Sequence, residues 1–180
     1  QKKFFSKVIS SIFIANSQFS SQTSASDGNL NSRLISRLVS NGAINSPEVE
    51  KVMKNIDRGD FISFDLTVIG KAHVLRKYPH VSISHVARPQ GIGYHATISA
   101  PHMHAIALVK QMLLHSELNS MIEGLLKDRL KTAKKCLDVG SGSGYLTLAF
   151  AKLMEDPDAV SYGVEHIPEL VKESIKNIEK

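Results

Sequence analysis

Cysteine is nearly missing from this chain of 180 residues: Cys136 is the only one. That excludes an internal disulfide and any zinc site built from several cysteines, and it is consistent with a reducing compartment. No acidic residue occurs among the first 26, which hold three lysines (Lys2, Lys3, Lys7) and eight serines. The apolar part of that segment, Phe4-Phe5 and Val8 to Ala15, is interrupted by Lys7. It falls short of the roughly 20 residues that a membrane-spanning helix needs. No Gly-Lys-Ser/Thr triplet follows any glycine-rich stretch, so a phosphate-binding P-loop is excluded. Nor is there much charge of one sign: 22 Lys and Arg against 17 Asp and Glu leave +5. The basic residues are spread rather than gathered on a stripe, which argues against a nucleic-acid partner.

What is present describes an ordinary globular chain, 42% hydrophobic and 22% charged. Its length suits one domain and is short for a complete doubly wound nucleotide-binding enzyme. Residues 1–29 read as a Ser-rich tail, disordered, or as a targeting segment. From Leu30 the pattern becomes helical, with Leu34, Ile35, Leu38 and Val39 in phase until Asn41-Gly42. Ser46-Pro47-Glu48 is a helix start, with a cap, a proline in the first turn and an acid at the positive end of the dipole. Val49, Val52, Met53 and Ile56 form that helix's apolar face. Residues 61–93 are basic and His-rich, with Asp65 the sole acid, and read as a long loop with short strand pieces. Either an anion site or a solvated loop accounts for them. Helices are expected over Pro101–His115 and Glu117–Leu130. The period then switches: a short buried strand at 135–139, a helix over 146–154, a turn at Asp156-Pro157-Asp158, a strand at 159–165 and a helix over 168–178. Strand, helix, strand, helix is the start of a parallel α/β sheet.

The loop between the first strand and its helix is Asp138-Val139-Gly140-Ser141-Gly142-Ser143-Gly144. Glycines permit a tight turn and let a ligand touch backbone, while the following helix presents free N–H groups. A dinucleotide fingerprint starting at Gly140 needs a small residue where Tyr145 stands, and one starting at Gly142 needs it where Thr147 stands. Both fail, so NAD and FAD are not expected. Glu165 follows at the tip of the second strand, placed to accept hydrogen bonds from a ribose diol. An adenosine without phosphates fits this pattern, and S-adenosylmethionine is such a ligand, with a cationic centre for Asp138. The alternative is a structural turn beside an exposed glutamate.

A second constellation, Ala96-Thr97-Ile98-Ser99-Ala100-Pro101-His102-Met103-His104, leads into a helix. Ser99 is placed either to cap that helix or to work in a site. His102 and His104 point different ways on a helix, so a shared metal is not expected.

Taken together, Ala96 to Ala105, Leu137 to Thr147 and Gly163 to Val171 resemble the protein-L-isoaspartate (D-aspartate) O-methyltransferases, in their eukaryotic form. The resemblance covers about residues 30–60 and 91–180, and the Ser99 segment is its most specific part. It implies an α/β fold: N-terminal helices and an active-site-loop region over 30–131, then over 132–180 the first strand-helix-strand-helix part of a Rossmann-like methyltransferase sheet, incomplete at the C-terminus. It implies Ser99 as the active-site serine, with Ala96, Thr97 and Ile98 on the substrate. Asp138, Gly140, Ser141, Gly142, Ser143, Glu165, His166 and His104 are implied on the cofactor, S-adenosyl-L-methionine, which leaves as S-adenosyl-L-homocysteine. The implied substrates are isoaspartyl-containing proteins and peptides, methylated in a cytoplasmic, monomeric repair enzyme. No metal, nucleic acid or membrane is implied. A truncated, non-catalytic isoform and a related RNA or small-molecule methyltransferase are the competing readings. The stretch from Phe64 to Arg88 departs from the family pattern, and a two-stranded sheet leaves apolar edges and faces open.

Overall fold

The computed structural model describes residues 12–16, 28–62, 86–113 and 129–180. Strand β1 (Ile12–Asn16) comes first in the chain, and two helices follow where the sequence places them. Helix α1 (Gly28–Ser40) ends on Gly42, whose φ of +72° lets Gly42 N–H reach the Val39 carbonyl and Ala43 N–H the Leu38 carbonyl. These two bonds satisfy carbonyls that the helix end would leave open. Helix α2 (Pro47–Asn55) starts on Ser46, whose hydroxyl accepts from Val49 N–H at 3.3 Å. Val49, Val52, Met53 and Ile56 are all buried. A short 3-10 turn (Arg58–Phe61) follows.

Residues 63–85, most of the basic stretch, lie outside the described residues, as does most of the helix expected over 117–130. From the stretch's end emerge two-residue strands β2 (Gln90–Gly91) and β3 (Thr97–Ile98), paired antiparallel. They run into helix α3 (Pro101–Leu113), which buries Ala105 and Leu108 while Met103 and Ile106 face outward. A single helical turn, α4 (Arg129–Thr132), precedes the sheet.

Strands β4 (Lys135–Val139) and β5 (Val160–Val164) are parallel, in register from Lys135↔Val160 to Val139↔Val164. Helix α5 (Tyr145–Leu153) connects them, and α6 (Pro168–Ile178) follows. The α/β class and the strand-helix-strand-helix order stand as expected. Helix α5 is apolar almost all round and is buried over Thr147–Ala151 and at Leu153, touching β1, β4 and β5 together with α2, α3, α4 and α6. An all-apolar helix belongs at the centre of a fold.

Two expectations need correction. The strand at 135–139 is not buried throughout: Leu137 is 59% and Val139 77% exposed, while Asp138 faces inward. Alternation across the pleat puts odd and even residues on opposite faces, and only one face is covered by helices among the described residues. Second, Ile12–Asn16, placed by sequence in a disordered Ser-rich tail or a targeting segment, form strand β1, antiparallel to β5 and giving the sheet order β1-β5-β4. Phe13 and Ala15 point into the core and Ile14 outward, so these three residues alternate as a half-buried strand does. Phe13 lies opposite Gly163, where a side chain would come within 2.4 Å of its ring. The glycine is the space in which the ring sits.

Candidate functional site

The glycine loop leaves β4 at Gly140, doubles back and enters α5. Gly140 and Ser141 N–H groups both donate to the Val164 carbonyl, at 2.8 and 3.2 Å, tying the loop to the end of β5. Gly140, Gly142 and Gly144 all have positive φ. At Gly142 a Cβ would come within 3.2 Å of the Ile92 side chain, so this glycine also provides room for β2's neighbour.

Glu165 closes the loop from below. Its Oε2 accepts from Gly142 N–H at 3.0 Å, and its Oε1 from His166 N–H at 2.7 Å and Ile167 N–H at 3.1 Å. At 5% exposure it is buried, which removes the reading of an exposed glutamate beside a structural turn. A carboxylate has about four acceptor positions, and Oε2 keeps capacity beyond Gly142. His166 stands outside, exposed, with its Nδ1 2.7 Å from Glu165 Oε1.

Asp138 faces the same interior. Its Oδ2 accepts from the Thr147 hydroxyl at 2.6 Å. Burial pushes its carboxyl above the usual carboxylate range against the pull of that hydroxyl, and the Glu165 charge adds to the push. The folded protein therefore holds this proton more tightly than the unfolded chain. Stability must fall as pH rises from about 4, the ordinary carboxylate value, through the raised one. Asp138→Asn keeps an acceptor for Thr147 and removes the buried charge. We expect it to unfold at neutral pH at a temperature equal to or above wild type. Thermal unfolding between pH 4 and 8 checks this, and a loss of stability that grows with pH would contradict it.

The second constellation reaches the loop across the fold. Thr97, Ile98 and Ser99, with His104, form one wall of a pocket of about 90 Å³; Asp138, Gly140, Ser141, Gly142 and Ser143 form the other. Ile92, Tyr145 and Leu146 complete it. Two segments separated in sequence thus meet at one cavity. Ala96, Glu165 and His166 are not among its lining residues, and Glu165 acts on it through Gly142. Helix α3 takes its first bonds from Met103 and His104 N–H to the Ala100 carbonyl. Among the described residues the exposed Ser99 hydroxyl caps nothing.

His104 is buried and stacks on Tyr145, ring centroids 4.7 Å apart at 26°. Burial first, then the Arg58 and His102 charges, lowers its pKa to about 3, so the imidazole is neutral throughout the physiological range. Its Nδ1 and the Ser141 hydroxyl are buried without a partner among the described residues. Both belong to residues that line the pocket, so the cavity is polar where a ligand would need it.

Sequence reasoning missed three contributors. Tyr145 entered only as the residue that breaks the dinucleotide fingerprint, yet it is the platform for His104 and meets Phe61 edge-on at 5.4 Å. Thr147 orients Asp138. Arg58 is fully buried beside this cluster. The signal for Arg58 was a charged pair, Asp57-Arg58, set between apolar Ile56 and Phe61.

Residues 29–180 match the protein-L-isoaspartate(D-aspartate) O-methyltransferase family. The chain is 40% identical over 156 residues to protein-L-isoaspartate O-methyltransferase 1 of Arabidopsis thaliana, covering 87% of this chain and 54% of that one. It is 39% identical over 155 residues to the Caenorhabditis elegans protein-L-isoaspartate O-methyltransferase, covering 86% and 54%. Among solved structures it resembles a Plasmodium falciparum chain described as a protein-L-isoaspartate O-methyltransferase in complex with S-adenosyl-L-homocysteine. There the TM-score is 0.59 at 28% identity, over 83% of this chain and 55% of that one. The chain spans about half the length of the relatives it matches. Matched from residue 29 to residue 180, it belongs to the protein-L-isoaspartate(D-aspartate) O-methyltransferase family.

Proposed function

We propose that this chain provides the cofactor loop and active-site segment of an enzyme that methylates the α-carboxyl of L-isoaspartyl, and D-aspartyl, residues in damaged proteins. The observation that carries the reading is the convergence of Thr97, Ile98 and Ser99 on the glycine loop in one pocket. The residues suit S-adenosylmethionine: a loop with no Cβ at Gly140 and Gly142, two buried carboxylates, and buried unpartnered polar atoms on Ser141 and His104. Gly140, Ser141, Gly142 and Ser143 would hold it with backbone, Glu165 its ribose, and Asp138 and His104 the rest, with His166 at the rim. When bound, that cofactor supplies a sulfonium methyl and leaves as the neutral thioether S-adenosylhomocysteine.

The chain's own task is then positioning. A carboxylate, with a pKa of about 4, is already ionised at neutral pH. It needs no base, and a neutral His104 does not compete with it for a proton. Ser99 orients the acceptor oxygen by donating a hydrogen bond, with Ala96, Thr97 and Ile98 along the substrate backbone. Alignment of this kind supplies a large part of a barrier reduction. Closure of the ester to a succinimide, with loss of methanol, and hydrolysis of that ring then follow without the enzyme.

No helix among the described residues is long and apolar enough to cross a membrane. A cytoplasmic, monomeric enzyme acting on isoaspartyl proteins and peptides, and not on nucleic acid, completes the reading.

Labelled methyl transfer to an isoaspartyl peptide and to its aspartyl twin tests it. Transfer to the isoaspartyl peptide alone is the expected result. S-adenosylhomocysteine binding without transfer would return the chain to a non-catalytic role. In the same assay Ser99→Ala should lower kcat about tenfold, the worth of one hydrogen bond, and leave S-adenosylhomocysteine affinity within about twofold. Unchanged turnover would remove Ser99 from the mechanism.

A further inference from the structure

Arg58 is a cation placed where a core would ordinarily hold a hydrocarbon. It is 1% exposed. The backbone that carries it is pinned from several sides. Asn31 donates to the carbonyls of Met53, Lys54 and Ile56 at 3.0–3.2 Å and accepts from Arg58 N–H at 3.4 Å. Asp57 Oδ1 accepts from Gly59 N–H at 2.7 Å. From this fixed base Arg58 Nη2 donates to the Arg88 carbonyl at 3.2 Å. Arg88 leads directly through Pro89 into β2, the turn at Gly93–Ala96, β3 and Ser99. Burial lowers the Arg58 pKa to about 10, partly offset by the neighbouring Tyr145. The group nevertheless remains charged at neutral pH.

We propose that Arg58 is a positioning residue for methyl transfer, holding the Ser99 segment against the glycine loop through its hydrogen bond to the Arg88 carbonyl. The proposal rests on the reading of the site given above. A purely structural role is the weaker account. Burying a charge is costly, and an apolar side chain of similar volume often serves a core as well or better. The turn that follows Arg88 also needs support: Tyr94 and His95 both hold positive φ, at 52° and 59°. Residues without glycine's freedom keep that conformation only when their surroundings impose it. The Ile92 N–H to Ala96 carbonyl bond, at 3.0 Å, and the Arg88 anchor are parts of that frame.

Arg58→Met is the test, with Arg58→Lys as the conservative companion. With Met, kcat for the isoaspartyl peptide should fall about tenfold, the worth of one buried hydrogen bond. KM for S-adenosylmethionine should stay within about twofold, and the unfolding midpoint should be unchanged or higher. Amides of residues 89–100 should exchange with deuterium faster, while those of β4 and β5 keep their wild-type rates. Lys retains a donor and should recover part of both losses. The exchange measurement needs no turnover, so a wild-type chain that transfers no methyl sinks the functional reading while this comparison still decides the role of Arg58. Wild-type kcat and exchange in Arg58→Met would overturn the proposal, as would exchange raised evenly over the whole chain. If Arg58→Met does not fold, the local exchange pattern of Arg58→Lys decides by the same criterion. Failure of both to fold assigns Arg58 to core stability and also overturns it.

Discussion

Replacing Glu165 by Gln should lower S-adenosylhomocysteine affinity about 100-fold, although the two side chains are nearly isosteric. The carboxylate accepts on both oxygens, from Gly142 on one side and from His166 and Ile167 on the other. An amide has one acceptor end. Whichever way it turns, its NH2 faces a backbone N–H, and at least one loop anchor is lost. Hydrogen bonds to a charged group are worth about 1.5–3 kcal/mol each. The displaced loop, together with the loss of the ribose contact proposed above for Glu165, gives the expected factor. Glu165→Asp keeps the charge with a shorter reach and should lose less. Isothermal titration decides, and a Gln variant within about threefold of wild type would remove Glu165 from the cofactor site.

The second large effect is on stability. Gly144 has φ +92°, and a Cβ there would stand 3.0 Å from both Ser174 Cβ and the Ile178 Cδ1 methyl. The Ile178 methyl is the end of a flexible chain and can swing aside. Ser174 Cβ moves only with helix α6, which Asn177 holds to the loop by a bond to the Ser143 carbonyl at 3.2 Å. Left-handed backbone costs a substituted residue about 1–2 kcal/mol, and overpacking adds about 1–3. Gly144→Ala should therefore destabilise by about 3 kcal/mol in urea denaturation. Gly140→Ala is the control: it meets the same backbone penalty at φ +80°, but no atom lies within 4 Å. It should cost about 1–2 kcal/mol. Equal losses for the two would refute the steric component at Gly144.

The sheet-forming half of this chain was legible because its signals are local. The switch of period at Lys135, the glycines between β4 and α5, and Pro168 at the start of α6 each act over a few neighbours. Ser46-Pro47 marked α2 for the same reason. Within the site, the residues could be named from the family resemblance, but their meeting could not be read from spacing. Ser99 and Ser141 share a pocket only because α3 and α5 pack against each other. The His104, Tyr145 and Arg58 cluster draws one residue from each of three elements, and none carries a periodic signature. Strand β1 escaped because a short apolar run in a Ser-rich, lysine-bearing setting carries no strand period of its own and says little until Gly163 supplies a place for Phe13. Leu137 and Val139 misled in the opposite direction, since an apolar residue in a strand does not announce which of two faces is covered.

That same β1 pairing has a consequence for how the chain reaches its fold. Unlike the β4–α5–β5–α6 unit, which assembles from neighbours, the contact of Phe13 with Gly163 closes a loop of about 150 residues. Contacts of such long sequence separation slow folding. Docking of the first strand therefore carries the largest loop-closure cost of the strand pairings described, and the ring of Phe13 must cross that distance in sequence to reach its place over Gly163.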